Sequence, residues 1–203
     1  MKAQTQVVSV ILIIGIAFAA IATILPWSMS MIQKRKDAKT VDDVFNFFLL
    51  LENKIKTVAQ TGGEEVLELK VPGKLTVYPY STPQPLRNEH NNSIYFVFSS
   101  KVSNIAPGEW LCLSTNCNQT ATLGKDSFGV IIARATKGDD SLLIEYKLWY
   151  RDLVDKETGQ MYKIFLNTTS NEVASTTIPF LRIQKLRTYS TQSLTITEIN
   201  III

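Results

Sequence analysis

The sequence predicts an α+β protein: a long N-terminal hydrophobic α-helix, the stem of a lollipop, followed by a mainly antiparallel β-sandwich-like head. Three observations point there. No residue from Ala3 to Gln33 is charged, and within that stretch Val7–Leu25 is almost wholly apolar. From Val41 to Val58 apolar residues recur at spacings of three and four, and Gly62-Gly63 closes the pattern. Beyond Gly63 the period changes to two, with turn residues between short alternating runs. Hydrophobic residues make up 45% of the 203, which is ample for a packed core and excludes a wholly disordered chain.

The first element is the helix. Val7–Leu25 contains 19 residues, which as a helix span roughly 28 Å, close to the hydrocarbon thickness of a bilayer. A buried core helix is the alternative, but such helices rarely lack a polar face. Trp27 stands where an interfacial aromatic belongs. The run is too long for the apolar region of a secretory signal peptide, and Leu25-Pro26-Trp27 supplies no small-residue cleavage site after it. A short basic start followed by a small residue does exist, Lys2-Ala3, but it precedes the run. Cleavage there leaves the helix on the mature protein. Pro26 is a potential kink, because it removes one backbone donor.

The stripe Val41, Val44, Phe48, Leu51, Ile55 and Val58 is heptad-like, and Phe45, Phe47, Leu49 and Leu50 widen it. Two readings fit: a helix packed on its own globular domain, and a helix shared between that domain and a bundle of neighbours. From Gln4 to about Thr61 the helix measures about 90 Å, more than a solitary domain of this size requires.

The head follows. Val66–Val71 and Lys74–Tyr78 flank Pro72-Gly73 as a strand-turn-strand signal. Further strands are expected at Ile94–Ser99, Gly129–Thr136, Leu142–Tyr150, Met161–Leu166, Ile178–Leu186 and Ser193–Ile203. Gly138-Asp139-Asp140 and Asp155–Gly159 are turn signals, and the carboxylates there, with Asp152, suit turn formation. Val173–Thr177 suits exposed sheet faces and loops. Arg182, Lys185 and Arg187 suit an exposed strand face. The terminal Ile201-Ile202-Ile203 would be hazardous on an open edge, so it is expected inside the head or under a neighbour.

Charge narrows the function classes. Of the 21 basic residues, Lys2, Lys34, Arg35 and Lys36 precede the first acid, Asp37, which leaves 17 basic against 18 acidic residues beyond them. That balance argues against nucleic-acid binding, which needs a concentrated basic face. One histidine, His90, and the absence of a nucleophile elbow, phosphate loop or His-Glu-x-x-His motif argue against an enzyme, a cofactor or a metal site.

Cys112 and Cys117 read as a disulfide closing a small loop in an oxidising compartment, with two free thiols as the alternative. Asn91, Asn118 and Asn167 begin Asn-x-Ser/Thr acceptor triplets. Together they favour a head outside the cell. The basic triplet Lys34–Lys36 after the apolar run argues the reverse by the positive-inside rule. We side with the outside head, because neighbouring subunits can pair that triplet with Asp37, Asp42 or Asp43.

On Met1-Lys2-Ala3 followed by Gln4-Thr5-Gln6, placed directly before an uninterrupted apolar helix, the sequence resembles an archaeal type IV pilin precursor with a class III signal peptide. The motif covers about the first 25 residues. Bacterial pilins carry a glutamate near the mature start where Val8 stands here, a departure shared by archaeal members. The resemblance implies a prepilin peptidase cutting between Ala3 and Gln4. Residues 1–3 would then be signal peptide, 4–62 the membrane-spanning and later filament-core helix, and 64–203 the head. It assigns the filament core to Val7, Val8, Ile11, Leu12, Ile14, Ile16, Phe18, Ile21 and Leu25. It further implies a homo-oligomeric filament on the cell surface, built by membrane assembly machinery from a membrane-anchored precursor, with adhesion a possible role of the head. The alternative from another class is a signal-anchored surface binding protein that never polymerises; an archaellin-like or minor pilin-like component is a third.

Overall fold

The computed structural model describes residues 2–68, 70–81, 90–177 and 180–203, with side chains from Leu12 onward. One helix, α1 (Lys2–Thr61), is followed by β1 (Glu64–Glu68), β2 (Lys74–Tyr78), β3 (Ser93–Ser100), β4 (Leu111–Cys112), β5 (Thr120–Thr122) and β6 (Gly129–Lys137). The chain continues through β7 (Leu142–Tyr150), β8 (Asp152–Val154), β9 (Met161–Asn167), β10 (Ala174–Thr176), β11 (Phe180–Ser190) and β12 (Leu194–Ile202). The α+β class and the helix-then-sheet order are those the sequence predicts.

Helix α1 runs through Pro26 without a break in its assignment. Nearby, the Thr23 hydroxyl donates to the Ala20 carbonyl at 2.9 Å, so the helix itself satisfies this polar group. The helix ends where Gly62 and Gly63 take φ of 79° and 87°, a region costly for residues with a Cβ. Gly62 N donates to Val58 O at 2.9 Å, the single bond of an αL cap. Lys185 Nζ donates to the Ala59 carbonyl at 2.7 Å, placing a cation at the negative end of the helix.

The strands form two six-stranded sheets. One has the order β1-β11-β12-β9-β8-β5, the other β10-β2-β3-β7-β6-β4. Pairing is antiparallel except for β12 with β9 and β5 with β8. The strands around Pro72-Gly73 exist, but the turn carries the chain between sheets: β1 pairs with β11 and β2 with β3. The first strand also ends earlier than expected, at Glu68, and Leu69 lies outside the described residues. Three short strands, β4, β5 and β8, arise where no strand was expected, while β10 makes Ala174–Thr176, read as exposed sheet face or loop, the edge partner of β2. Asp152 opens β8 instead of a turn and pairs with Lys163 at 2.8 Å. Asp155 does make its turn, accepting from Glu157 N at 2.9 Å and the Thr158 hydroxyl at 2.7 Å. Phe180–Ser190 extends beyond the expected strand, while Ile178 and Pro179 lie outside the described residues.

The helix stripe lies in the same core as both sheets. Val41, Val44, Phe47, Phe48, Leu51, Ile55 and Val58 cluster with Leu181, Ile183, Ile199 and Ile201 from one sheet and with Leu75, Phe96, Ile144, Tyr146 and Leu148 from the other. Phe48 is 0% exposed and stacks on Tyr146 at 5.6 Å. Gly129 of β6 lets the helix approach closely, since a Cβ there would come within 2.4 Å of Glu52 Cγ. The isoleucine-rich end is interior: β12 lies between β11 and β9, with Ile199 and Ile201 buried.

Candidate functional site

The N-terminal part of α1 has the opposite environment. Leu12, Ile13, Ile14, Ile16, Phe18, Ile21, Ile24, Leu25, Trp27 and Ile32 are all exposed, Ile13 at 65% and Phe18 at 69%. The helix is long and apolar enough to cross a membrane, and its most apolar window is wholly unburied. At about 100° per residue, the exposed Leu12, Ile13 and Phe18 lie roughly 100–140° apart around the helix axis, so the surface is apolar on every side rather than along one stripe. Of the filament-core residues expected from sequence, Leu12, Ile14, Ile16, Phe18, Ile21 and Leu25 lie on this surface. The side chains of Val7, Val8 and Ile11, and of the cleavage pair Ala3 and Gln4, lie outside the described residues, although all five belong to α1.

Between the apolar part and the buried stripe is a polar collar. Lys34, Arg35 and Lys36 are exposed. Asp37 is already engaged: it accepts from the backbone N–H of Lys101 at 2.9 Å and from Gln33 Nε2 at 2.7 Å, tying helix to head. Asp42 and Asp43 remain exposed, seven residues beyond Arg35 and Lys36 and hence on the same helix face. Of the three acids expected to meet the triplet, these two are accessible.

The cysteines form the expected disulfide, Cys112–Cys117. Its loop is clamped by Arg151, which is 3% exposed. The guanidinium donates to Ser127 O at 2.9 Å, to Asn116 O and Asn118 O at 3.3 Å each, and to Asn116 Oδ1. Burial pulls the Arg151 pKa down and nearby Asp126 opposes that pull. Of the acceptor triplets, Asn118 is exposed in this loop. Asn91 is half-buried, with its Oδ1 shut from solvent and unpartnered. Asn167 is half-buried at the end of β9, and the Thr168 hydroxyl donates to Glu172 O at 2.6 Å. Asn118 therefore offers the most accessible side chain of the three.

At this end of the sandwich the disulfide loop, β7, β8 and β9 enclose a cavity of about 510 Å³. Buried Asn92 joins the two sheets beside it, donating to Ile164 O and accepting from Leu166 N, both at 2.8 Å. Sequence reasoning missed this cavity, because its walls come from positions as distant as Tyr80, Cys117 and Lys163.

A second polar cluster lies on the outer face of the sheet containing β3, β6 and β7. Tyr95 Oη donates to Glu145, and Arg134 Nε meets the same carboxylate at 2.5 Å while lying 4.5 Å over the Trp110 ring. Burial raises the Glu145 pKa, but donation from Arg134 and Tyr95 outweighs it and holds the carboxyl below its ordinary range. Arg134 and Glu145 are direct cross-strand partners, so the cluster fastens β6 to β7. The sole histidine, His90, stacks on Tyr78 at 4.6 Å beside it. Among the described residues no group of three or more His, Cys, Asp and Glu is placed to hold a metal ion. Arg182 and Arg187 are ion-paired with Glu64 at 3.0 Å and Glu198 at 2.8 Å, so with Lys185 on the helix end the C-terminal basic cluster is structural. No family model matches this sequence, and no curated protein or solved structure matches the chain.

Proposed function

We propose that this chain is a structural subunit of an extracellular filament of the archaeal type IV pilus kind, anchored in the membrane by α1 before assembly and packed through α1 afterwards. The supporting observation is the two-part helix: one half completes the core of its own head, and the other presents an apolar surface on every side. Each large apolar side chain withdrawn from water contributes roughly 1.5–3 kcal/mol. Lipid satisfies that surface in the precursor, and neighbouring helices satisfy it in the fibre. The collar supplies register, with Arg35 and Lys36 of one copy facing Asp42 and Asp43 of the next. A prepilin peptidase acting between Ala3 and Gln4 releases the subunit for assembly, and the head faces outward.

One observation favours a second reading. The Val41–Val58 stripe is consumed by the chain's own head, as in a membrane-anchored surface binding protein that stays single. Peptide mass spectrometry of the amino terminus, in a sheared fraction pelleted at high speed, separates the two. The filament reading predicts a terminus at Gln4 in sedimentable material. A terminus at Met1 or Lys2, confined to membranes, would favour the anchored protein.

A further inference from the structure

We infer that a small socket between α1 and the disulfide loop receives Arg35 of a neighbouring copy, which makes the head as well as the stem part of the assembly surface. The contact rests on the filament reading and sets the axial step between copies. The socket measures about 150 Å³. Its lining includes Asp42 and Phe45 of α1, Ile105 before β4, Leu111 and Leu113 at β4, and Tyr146 of β7. Ligand pockets begin at roughly 300 Å³, so this one admits a single side chain rather than a small molecule.

Apolar and aromatic walls surround one carboxylate, a combination that suits a long side chain with a methylene stem and a cationic end. Leu111 is 48% exposed, an aliphatic surface left to water in the single chain. Asp42 is exposed and takes no hydrogen bond or ion pair among the described residues. Its charge is felt at the floor of the socket: burial, and then the Asp42 carboxylate, push the Tyr146 hydroxyl up to about 12. The walls are fixed before a partner arrives. Leu111 and Cys112 pair with Ala133 and Ile132 of β6, Leu113 N donates to Ile131 O at 2.9 Å, and the disulfide closes the loop beyond. Preformed walls lower the ordering cost of capturing a side chain.

The complementary group lies on the same helix. Lys34, Arg35 and Lys36 are exposed, and their side chains take no hydrogen bond or ion pair among the described residues. At about 100° per residue, Arg35 lies within about 20° of Asp42 around the helix axis, with Lys34 and Lys36 to either side. Copies inserted in one membrane in the same direction are parallel. An axial offset of roughly 10.5 Å, the rise of the seven residues from Arg35 to Asp42, therefore brings Arg35 of one copy level with Asp42 of the next. The guanidinium then meets the carboxylate while its stem lies on Leu111 and Phe45.

The test measures sedimentable filaments sheared from cells that produce the full-length chain or its variants. Asp42→Arg and Arg35→Asp each place like charges at the contact and should lower the filament yield by about tenfold or more. Combining them restores opposite charges and should return the yield to within about threefold of wild type. Leu111→Trp fills the mouth of the socket and should also lower the yield, whereas Lys36→Asp, on a neighbouring face, should lower it less. Asp42, Arg35 and Leu111 are exposed, so the heads of these variants should melt at the wild-type temperature in detergent. Three results would overturn the socket while wild-type filaments uphold the filament reading: unchanged yield in both single reversals, a double variant no better than either, or equal losses from Lys36→Asp and Arg35→Asp. No filaments from the wild-type chain would overturn both.

Discussion

Residues 12–32 and 41–58 belong to one unbroken helix and are both rich in large apolar residues, yet they meet opposite surroundings. The difference is in the polar residues between the apolar ones. In the C-terminal stretch Asp42, Asp43, Asn46, Asn53 and Thr57 occupy the face turned away from the core, so one side can be buried and the other wetted. The N-terminal stretch has no such face. The same backbone hydrogen bonds build both halves, but only the second can be completed by its own chain. Leu49 and Leu50, exposed at 40% and 46%, lie on the outward face and extend the apolar surface past the collar.

The comparison is broken most severely by a charge in the first half. Ile16→Asp puts a carboxylate on the exposed apolar surface, at a cost of about 2.5–3.5 kcal/mol at a bilayer centre. Sedimentable filaments should disappear while the head unfolds at the wild-type temperature. Normal filaments from this variant would show that the helix does not form the fibre core.

The converse change is Phe48→Ala, which empties a fully buried site stacked on Tyr146. Head stability should fall by about 3–5 kcal/mol in denaturant titration, with membrane insertion unaltered. An equal loss of insertion would mean that the two halves are not independent. Next in size is Cys117→Ser. Opening so short a ring should cost at most about 2 kcal/mol, with the increase in amide exchange confined to residues 113–119.

The smallest effect sharpens the boundary within the second half. Glu52 is 8% exposed in the head core with Oε1 unpartnered. Burial raises its pKa, while the charge of Lys56 and hydrogen bonds from Gly129 and Ser127 lower it less. A carboxyl whose folded pKa is raised binds its proton more readily in the folded state. Its contribution is therefore fully present below the ordinary carboxylate pKa and is lost as pH rises through the raised value. Glu52→Gln should flatten that part of the stability–pH curve, with the variant more stable than wild type at neutral pH. Parallel curves for the two proteins would show that Glu52 does not titrate in this window.

Long periodic segments were legible in the sequence. The stripe from Val41 to Val58, the glycine stop and strands of seven or more residues carry enough repeats to reveal their period. Strands of two or three residues such as Leu111–Cys112 and Asp152–Val154 carry no period, and they form only because a neighbouring strand offers an open ladder. Pairing partners were hidden for a related reason. Pro72-Gly73 marks a turn but not whether the chain returns to the same sheet, a choice made by the burial of Leu67 against one layer and Leu75 against the other. The exposed apolar surface of α1 was visible because it is continuous in sequence. The cavity was not, because Asn91, Gln119, Trp149 and Lys163 meet only after both sheets have formed.

Electron cryomicroscopy of the sheared cell-surface fraction tests the central claim most directly. The account predicts a fibre in which Leu12–Ile32 of every copy is surrounded by the same segment of other copies, with the heads outermost. Single copies in the membrane, with lipid rather than protein around Leu12–Leu25, would contradict it.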